Sequence, residues 1–174
     1  MDYLIIEIES ALRNNEYFIA LFCTLTLPDI CAALESEDGE TTGQRYRDWY
    51  SNNMVDQRSL DDKQCYNFRC KMLHQGRSSY HNTHSKDGKN DKDQRVIFIY
   101  PNDRIYMDNN RFFIGTKEAI TVDLRKFCNN MIQSVRNWES KMKKNPIYIK
   151  NCENLITIHP EGIAPFVIGM PFIG

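Results

Sequence analysis

Over the first thirteen residues, apolar side chains recur at Leu4, Ile5, Ile8 and Leu12, the spacing of a helix with one buried face. Asn14-Asn15 breaks that pattern. From Glu16 to Glu35, the stretch EYFIALFCTLTLPDICAALE is apolar on nearly every side and reads as a central helix. Pro28 removes a backbone donor and crowds the preceding turn, so the helix is expected to kink or split there, or Pro28-Asp29 to open a new one. The polar ESEDGETTG forms a loop. A short helix over QRYRDWYSNNM then gathers Tyr46, Trp49, Tyr50 and Met54, aromatics expected as core or interface anchors rather than a ligand box.

In SLDDKQCYNFRCKMLHQG, Ser59 with Asp62 three residues on is a capping pattern, and Gly76 sits where a helix end favours a left-handed residue. A helix from about Leu60 to His74 or Gln75 follows. RSSYHNTHSKDGKNDKDQ is wholly polar and reads as a loop. RVIFIY has strand character, and RFFIG is expected to pair with it across PNDRIYMDNN. The last long helix, about Val122 to Lys144, carries Leu124, Cys128, Met131, Val135, Trp138 and Met142 at alternating steps of four and three, a continuous packing seam. Asn145-Pro146 stops it, and the tail from Ile147 is extended and hydrophobic. The expected fold is therefore mainly α: one domain, a helical bundle over about 1–76 and 122–145, with a small β-hairpin insertion within 77–116 and an extended tail over 146–174.

A chain of 174 residues, 41% hydrophobic and 26% charged, can bury a core without disulfides. The acidic, amphipathic MDYLIIEIES lacks the basic flank and cleavage site of a signal peptide, and no apolar run is read as approaching the roughly 20 residues of a membrane span. A cytoplasmic location without membrane contact is the expectation. Cys23, Cys31, Cys65, Cys70, Cys128 and Cys152 include no C-x-x-C pair and fall mostly in apolar helical patterns, so they read as reduced core residues. Charge is uneven. Residues 1–60 carry 4 Lys/Arg against 11 Asp/Glu, and residues 61–174 carry 18 against 12, so a polyanion would meet the second part of the chain.

The chemistry concentrates in FRCKMLHQGR. On a helical wheel Cys65, Phe68, Met72, Tyr66 and Leu73 form one apolar stripe, and Arg69 lies within it, about 40° from Cys65. His74 lies about 140° from Arg69. A guanidinium that cannot lose its charge is tolerated there only when paired, or when it opens onto a cleft or a partner. Asp29, Glu35 and Asp48 are the candidate pairing acids. Otherwise Arg69 is an anion site, with His74 near enough to move a proton.

RCKMLH matches the R-x4-6-H pattern of HEPN domains, helical-bundle proteins of prokaryotic defence, toxin and RNA-processing systems, and the chain resembles that family over about Met1 to Gly76 and 122–144. Arg77 to His84 has the same spacing but lies in the polar loop, whereas Arg69 and His74 stand at the end of a capped helix. The resemblance implies a metal-independent endoribonuclease, without a cofactor, acting on RNA as a homodimer whose two motifs share one cleft and whose product carries a cyclic phosphate. It implies phage defence or a toxin system as setting and leaves room for an antitoxin or regulatory partner. Arg69 would stabilise charge on the scissile phosphate, and His74 would be base to the 2′-hydroxyl or acid to the leaving oxygen. The chain departs from the family at Cys70, where many members have a small polar residue, and at Gly76, where one branch carries a modified tyrosine.

Lys71, Arg77 and Tyr80 are further candidates for RNA contact. Lys86, Lys89, Lys92, Arg95, Arg104 and Arg111 would guide the strand, with Tyr80 and Tyr100 available for stacking. His81-x-x-His84 with Asp87, Asp91 and Asp93 is a metal-ligand set without a fixed scaffold, and no metal is expected. There is no P-loop, dinucleotide fingerprint, G-x-S-x-G elbow or H-E-x-x-H. The alternatives to a nuclease are a non-catalytic nucleotide- or partner-binding module of the same fold, and a structural domain in which Arg69 only pairs with an acid.

Overall fold

A computed structural model describes residues 1–56, 59–81, 93–101 and 106–174. Most of the described backbone is helical: α1 (Asp2–Arg13), α2 (Tyr17–Glu35), α3 (Gly43–Asn53), α4 (Asp62–Gln75), α5 (Leu124–Met142) and α6 (Pro146–Cys152). Asn15 ends the first helix with a left-handed φ of 59°. The central helix α2 runs unbroken through Pro28, neither splitting nor restarting there. Its far end is secured by α6. The Asn151 side-chain amide donates to the carbonyls of Ala33, Leu34 and Ser36 at 3.3, 3.1 and 2.8 Å, satisfying acceptors that a helix end leaves without partners.

The cap of α4 is not the expected Ser59 with Asp62. Asp61 accepts from the Gln64 N–H, and the Gln64 side chain returns a bond to the Asp61 N–H. Ser59 is turned away and donates to Asp108 at 3.0 Å. The other end follows expectation, with Gly76 at φ 62°. Tyr46, Trp49 and Tyr50 on α3 are fully buried. Trp49 meets Trp138 of α5 edge-on at 5.9 Å, and Trp138 in turn meets Tyr148 of α6 at 5.6 Å. The predicted seam of α5 is buried from Leu124 to Trp138, with Met142 packed against its edge.

The strands depart most from expectation. RFFIG does not pair with RVIFIY. Four strands, β1 (Ser79–His81), β2 (Asp93–Ile99), β3 (Arg111–Ile114) and β4 (Lys117–Asp123), form one sheet in the order β1-β2-β4-β3. A two-residue turn at Gly115-Thr116 folds β3 antiparallel onto β4, and β4 then lies parallel to β2. β4 was not foreseen because its first inward position is a charge. Glu118 is nevertheless held, accepting from Arg111 at 2.8 Å and Gln94 at 3.0 Å. Behind it Val96, Phe98, Ile120 and Val122 line the inner face, and Phe98 packs on Phe68 and Phe127 at 5.2 and 5.3 Å. The segment read as an insertion therefore shares the helical core.

The tail also holds more structure than expected. Asn145 caps α6, with Pro146 at its first turn. Beyond it, β5 (Ile158–His159) pairs with β8 (Phe172–Ile173), and β6 (Gly162–Ile163) with β7 (Val167–Ile168). Against the sequence expectation, α2 is long and apolar enough by length and composition to cross a membrane, and half of that stretch is buried inside the protein.

Candidate functional site

Helix α4 delivers both residues of the motif to one place. Arg69 leaves the helix toward α2, where its Nη2 lies 2.6 Å from Asp29 Oδ2. Of the three acids considered from sequence, Asp29 is the one it meets. Glu35 accepts from the Trp138 indole at 2.7 Å, and Asp48 from Gln44 at 2.8 Å. The other arm of the guanidinium, Nη1, lies 3.4 Å from His74 Nε2 and 3.8 Å from Cys70 Sγ. Guanidinium nitrogens only donate, so a hydrogen bond between the two requires Nε2 to be the acceptor.

The cluster is incompletely satisfied. Arg69 Nε is buried without an acceptor among the described residues, and Asp29 Oδ2 meets Nη2 as a charge rather than through an aligned hydrogen bond. Burial pushes the Asp29 carboxyl above its ordinary range, against the pull of Arg69 and His74. Burial also works to lower Arg69 and is outweighed by Asp29 and Cys70, leaving the guanidinium above its usual value. Both side chains stay mostly sheltered, 18% and 14% exposed, while His74 is exposed. An always-charged donor, its buried Nε–H without an acceptor among the described residues, therefore stands beside an exposed imidazole. Such a pair can hold an oxyanion and exchange a proton with it.

The further candidates divide. Lys71 lies one turn before Gln75 and reaches its Oε1 at 3.5 Å, and Arg77 is exposed just past the helix. Tyr80 is a correction. β1 turns its ring inward beside Gln64 and Glu118, it is 4% exposed, and it offers no face for stacking. Tyr100, at 59% exposure, does. Arg111 is engaged with Glu118, and Arg95 stands exposed on β2. Lys86, Lys89, Lys92, Arg104, His84, Asp87 and Asp91 lie outside the described residues. Among the described residues no three His, Cys, Asp or Glu side chains gather as metal ligands. All six cysteines are free, with Cys31, Cys65 and Cys128 buried.

Sequence reasoning named Asp29 only as one of three, because the α2–α4 contact that selects it is tertiary. Cys70, the third group at the guanidinium, had a local signal in its position next to Arg69, yet read only as a departure from the family pattern. Comparison of the chain with family models, with curated proteins and with solved structures finds no match to any of them.

Proposed function

We propose that the chain is a metal-independent endoribonuclease of HEPN type, working as a homodimer in a defence or toxin setting in the cytoplasm. The observation that carries this reading is the 3.4 Å approach of Arg69 Nη1 to His74 Nε2 beside a sheltered Nε–H with no acceptor among the described residues. On binding, a scissile phosphate takes over the Arg69 donors, which frees Nε2 of His74. That nitrogen removes the proton from the 2′-hydroxyl, the 2′-oxygen attacks phosphorus, and the bond from phosphorus to the 5′-oxygen breaks to leave a cyclic phosphate. The partner's His74, or water, returns a proton to the leaving oxygen. Arg69 meets the charge that develops on the phosphate oxygens.

Dimerisation is supported by the outward side of the α1–α2 pair, where Tyr3, Ile6 and Ile19 are all more than half exposed. The decisive experiment is incubation of purified protein with mixed RNA in EDTA, wild type beside His74→Ala. Cleavage lost only in the variant is expected. Cleavage that needs a metal, or that the variant retains, sinks the mechanism.

The Arg69–Asp29 ion pair favours a second reading, a structural domain in which Arg69 only pairs with an acid. Under it, Arg69→Ala lowers thermal stability, His74→Ala is silent, and no cleavage is seen in any RNA.

A further inference from the structure

On the other side of the α4 end, a cleft of about 210 Å³ opens between α2, β2 and the residues that follow Gly76. Its floor is apolar, with Leu21, Phe68, Met72 and Phe98 in the lining. Two aromatic rings stand at its mouth, Phe18 at 65% and Tyr100 at 59% exposure. Both rings are steadied from behind. Phe18 packs on Phe22 with centroids 4.5 Å apart, and Tyr100 on Tyr17 at 4.9 Å, with the Arg125 guanidinium over the Tyr17 ring at 5.8 Å. Across the mouth stands Arg77, its backbone fixed by an N–H bond to Lys71 O at 3.1 Å. None of the lining residues is acidic.

The size is informative. Whole small-molecule ligands occupy roughly 300–1,000 Å³, so this cleft takes one ring system and leaves the rest of its ligand outside. An apolar cleft with exposed aromatic rings and a cation in its lining, without a carboxylate, matches one unstacked base whose phosphate stays at the surface. The position matches as well. Arg77 follows His74 by three residues, so their Cα atoms lie within about 10 Å of one another. We infer that this cleft is a subsite for a single unpaired base of an RNA strand, stacked on Tyr100 and Phe18 with Arg77 on its phosphate. The inference rests on the RNA-cleaving reading for its substrate class, but its own test does not require cleavage.

The experiment uses the full chain and a fluorescent 2′-O-methyl tetranucleotide, which has no 2′-hydroxyl to attack. Anisotropy titrations at several salt concentrations compare wild type with Tyr100→Ala, Phe18→Ala and Arg77→Gln. The two aromatics are exposed, so their truncation leaves the fold intact, which circular dichroism verifies. Each is expected to weaken binding at least about fivefold, the loss of one base–aromatic stack. Arg77→Gln is expected to reduce the slope of log affinity against log salt by about 0.7, the loss of one phosphate contact. Affinities within twofold of wild type for both ring variants overturn the subsite, as does wild type that fails to bind the probe at low salt. A parallel assay on cleavable RNA separates the two readings. Tyr100-dependent binding without cleavage sinks the nuclease and leaves the subsite standing. Cleavage with KM unchanged in both ring variants sinks the subsite and leaves the nuclease.

Discussion

Two charged clusters join separate elements of this molecule, and they are finished to different degrees. At the α5 N-terminus, Asp108 Oδ1 accepts from Ser59 at 3.0 Å and from the Asp123 N–H at 3.1 Å. Its Oδ2 accepts from Lys126 at 2.6 Å and Tyr106 at 3.3 Å. Lys126 also meets Asp56 at 3.4 Å. Although burial opposes it, these donors hold the Asp108 carboxyl below its ordinary range. Asp29 meets one guanidinium, off the line of its N–H groups, and is held above its ordinary range. A carboxylate with four donors is a fastening. One whose ion-pair partner among the described residues is Arg69, whose own Nε has no acceptor among them, is the less finished arrangement.

The largest expected effect lies in the less finished cluster. His74→Ala should lower RNA cleavage by about 10²- to 10⁴-fold, the usual worth of a general base or acid, measured as the initial rate in EDTA. Because His74 is exposed, its melting temperature should move by no more than about 2 °C. A large loss of stability in that variant would erase the distinction between the clusters. The finished cluster should behave in the opposite way. Asp108→Ala leaves Ser59, Lys126 and the Asp123 N–H without their acceptor and should cost about 2–3 kcal/mol, a fall of roughly 5–10 °C in a thermal melt. Cleavage per folded molecule should not change.

Asp29→Asn sharpens the contrast at smaller scale. It removes a mostly sheltered charge that competes with phosphate for Arg69 and leaves the guanidinium without its acid. Inorganic phosphate or an uncleavable oligonucleotide should therefore bind more tightly to the variant by roughly 2- to 10-fold, the scale of one charge pair. Weaker binding would mean that Asp29 positions Arg69 rather than competing for it.

What the chain disclosed in advance follows the range of the interactions. Periodicity located α1, α3, α4 and α5, because burying one helix face is written within a few turns of sequence. Gly76 marked the end of α4 for a similarly local reason, its left-handed backbone. The sheet was less legible. β3 pairs with the neighbour just after it rather than with β2, and β4 opens on a buried glutamate that only Arg111 and Gln94 make tolerable. Tyr80 read as a surface aromatic because its flanking residues are polar, yet β1 turns it into the core. In the site, Arg69 and His74 were legible as a spacing and the Asp29 partner only as one of three. A distance across two helices has no local signature. The cleft at Tyr100 combines α2, α4 and β2, so no single window of sequence contains it.

The smallest effect is one of sign, read from stability against pH. A carboxyl whose pKa falls on folding stabilises the native state above its unfolded value near 3.9 and loses that contribution as pH drops through the folded value. Asp108 is of this kind. A carboxyl whose pKa rises on folding contributes below its unfolded value and loses that contribution as pH climbs through the raised one. Asp29 is of this kind. Denaturant unfolding of wild type, Asp108→Asn and Asp29→Asn at pH 3 and pH 7 separates them. Asp108→Asn should gain less stability than wild type between the two conditions, because the term that rises with pH is gone. Asp29→Asn should gain more, because it lacks the term that falls. Arg69 stays charged at both pH values, so its altered pairing adds a constant that cancels in the difference. Deviations of the same sign in both variants would show the two carboxylates to be fastenings of one kind, and the contrast that supports the proposed site at Arg69 and His74 would lose its electrostatic half.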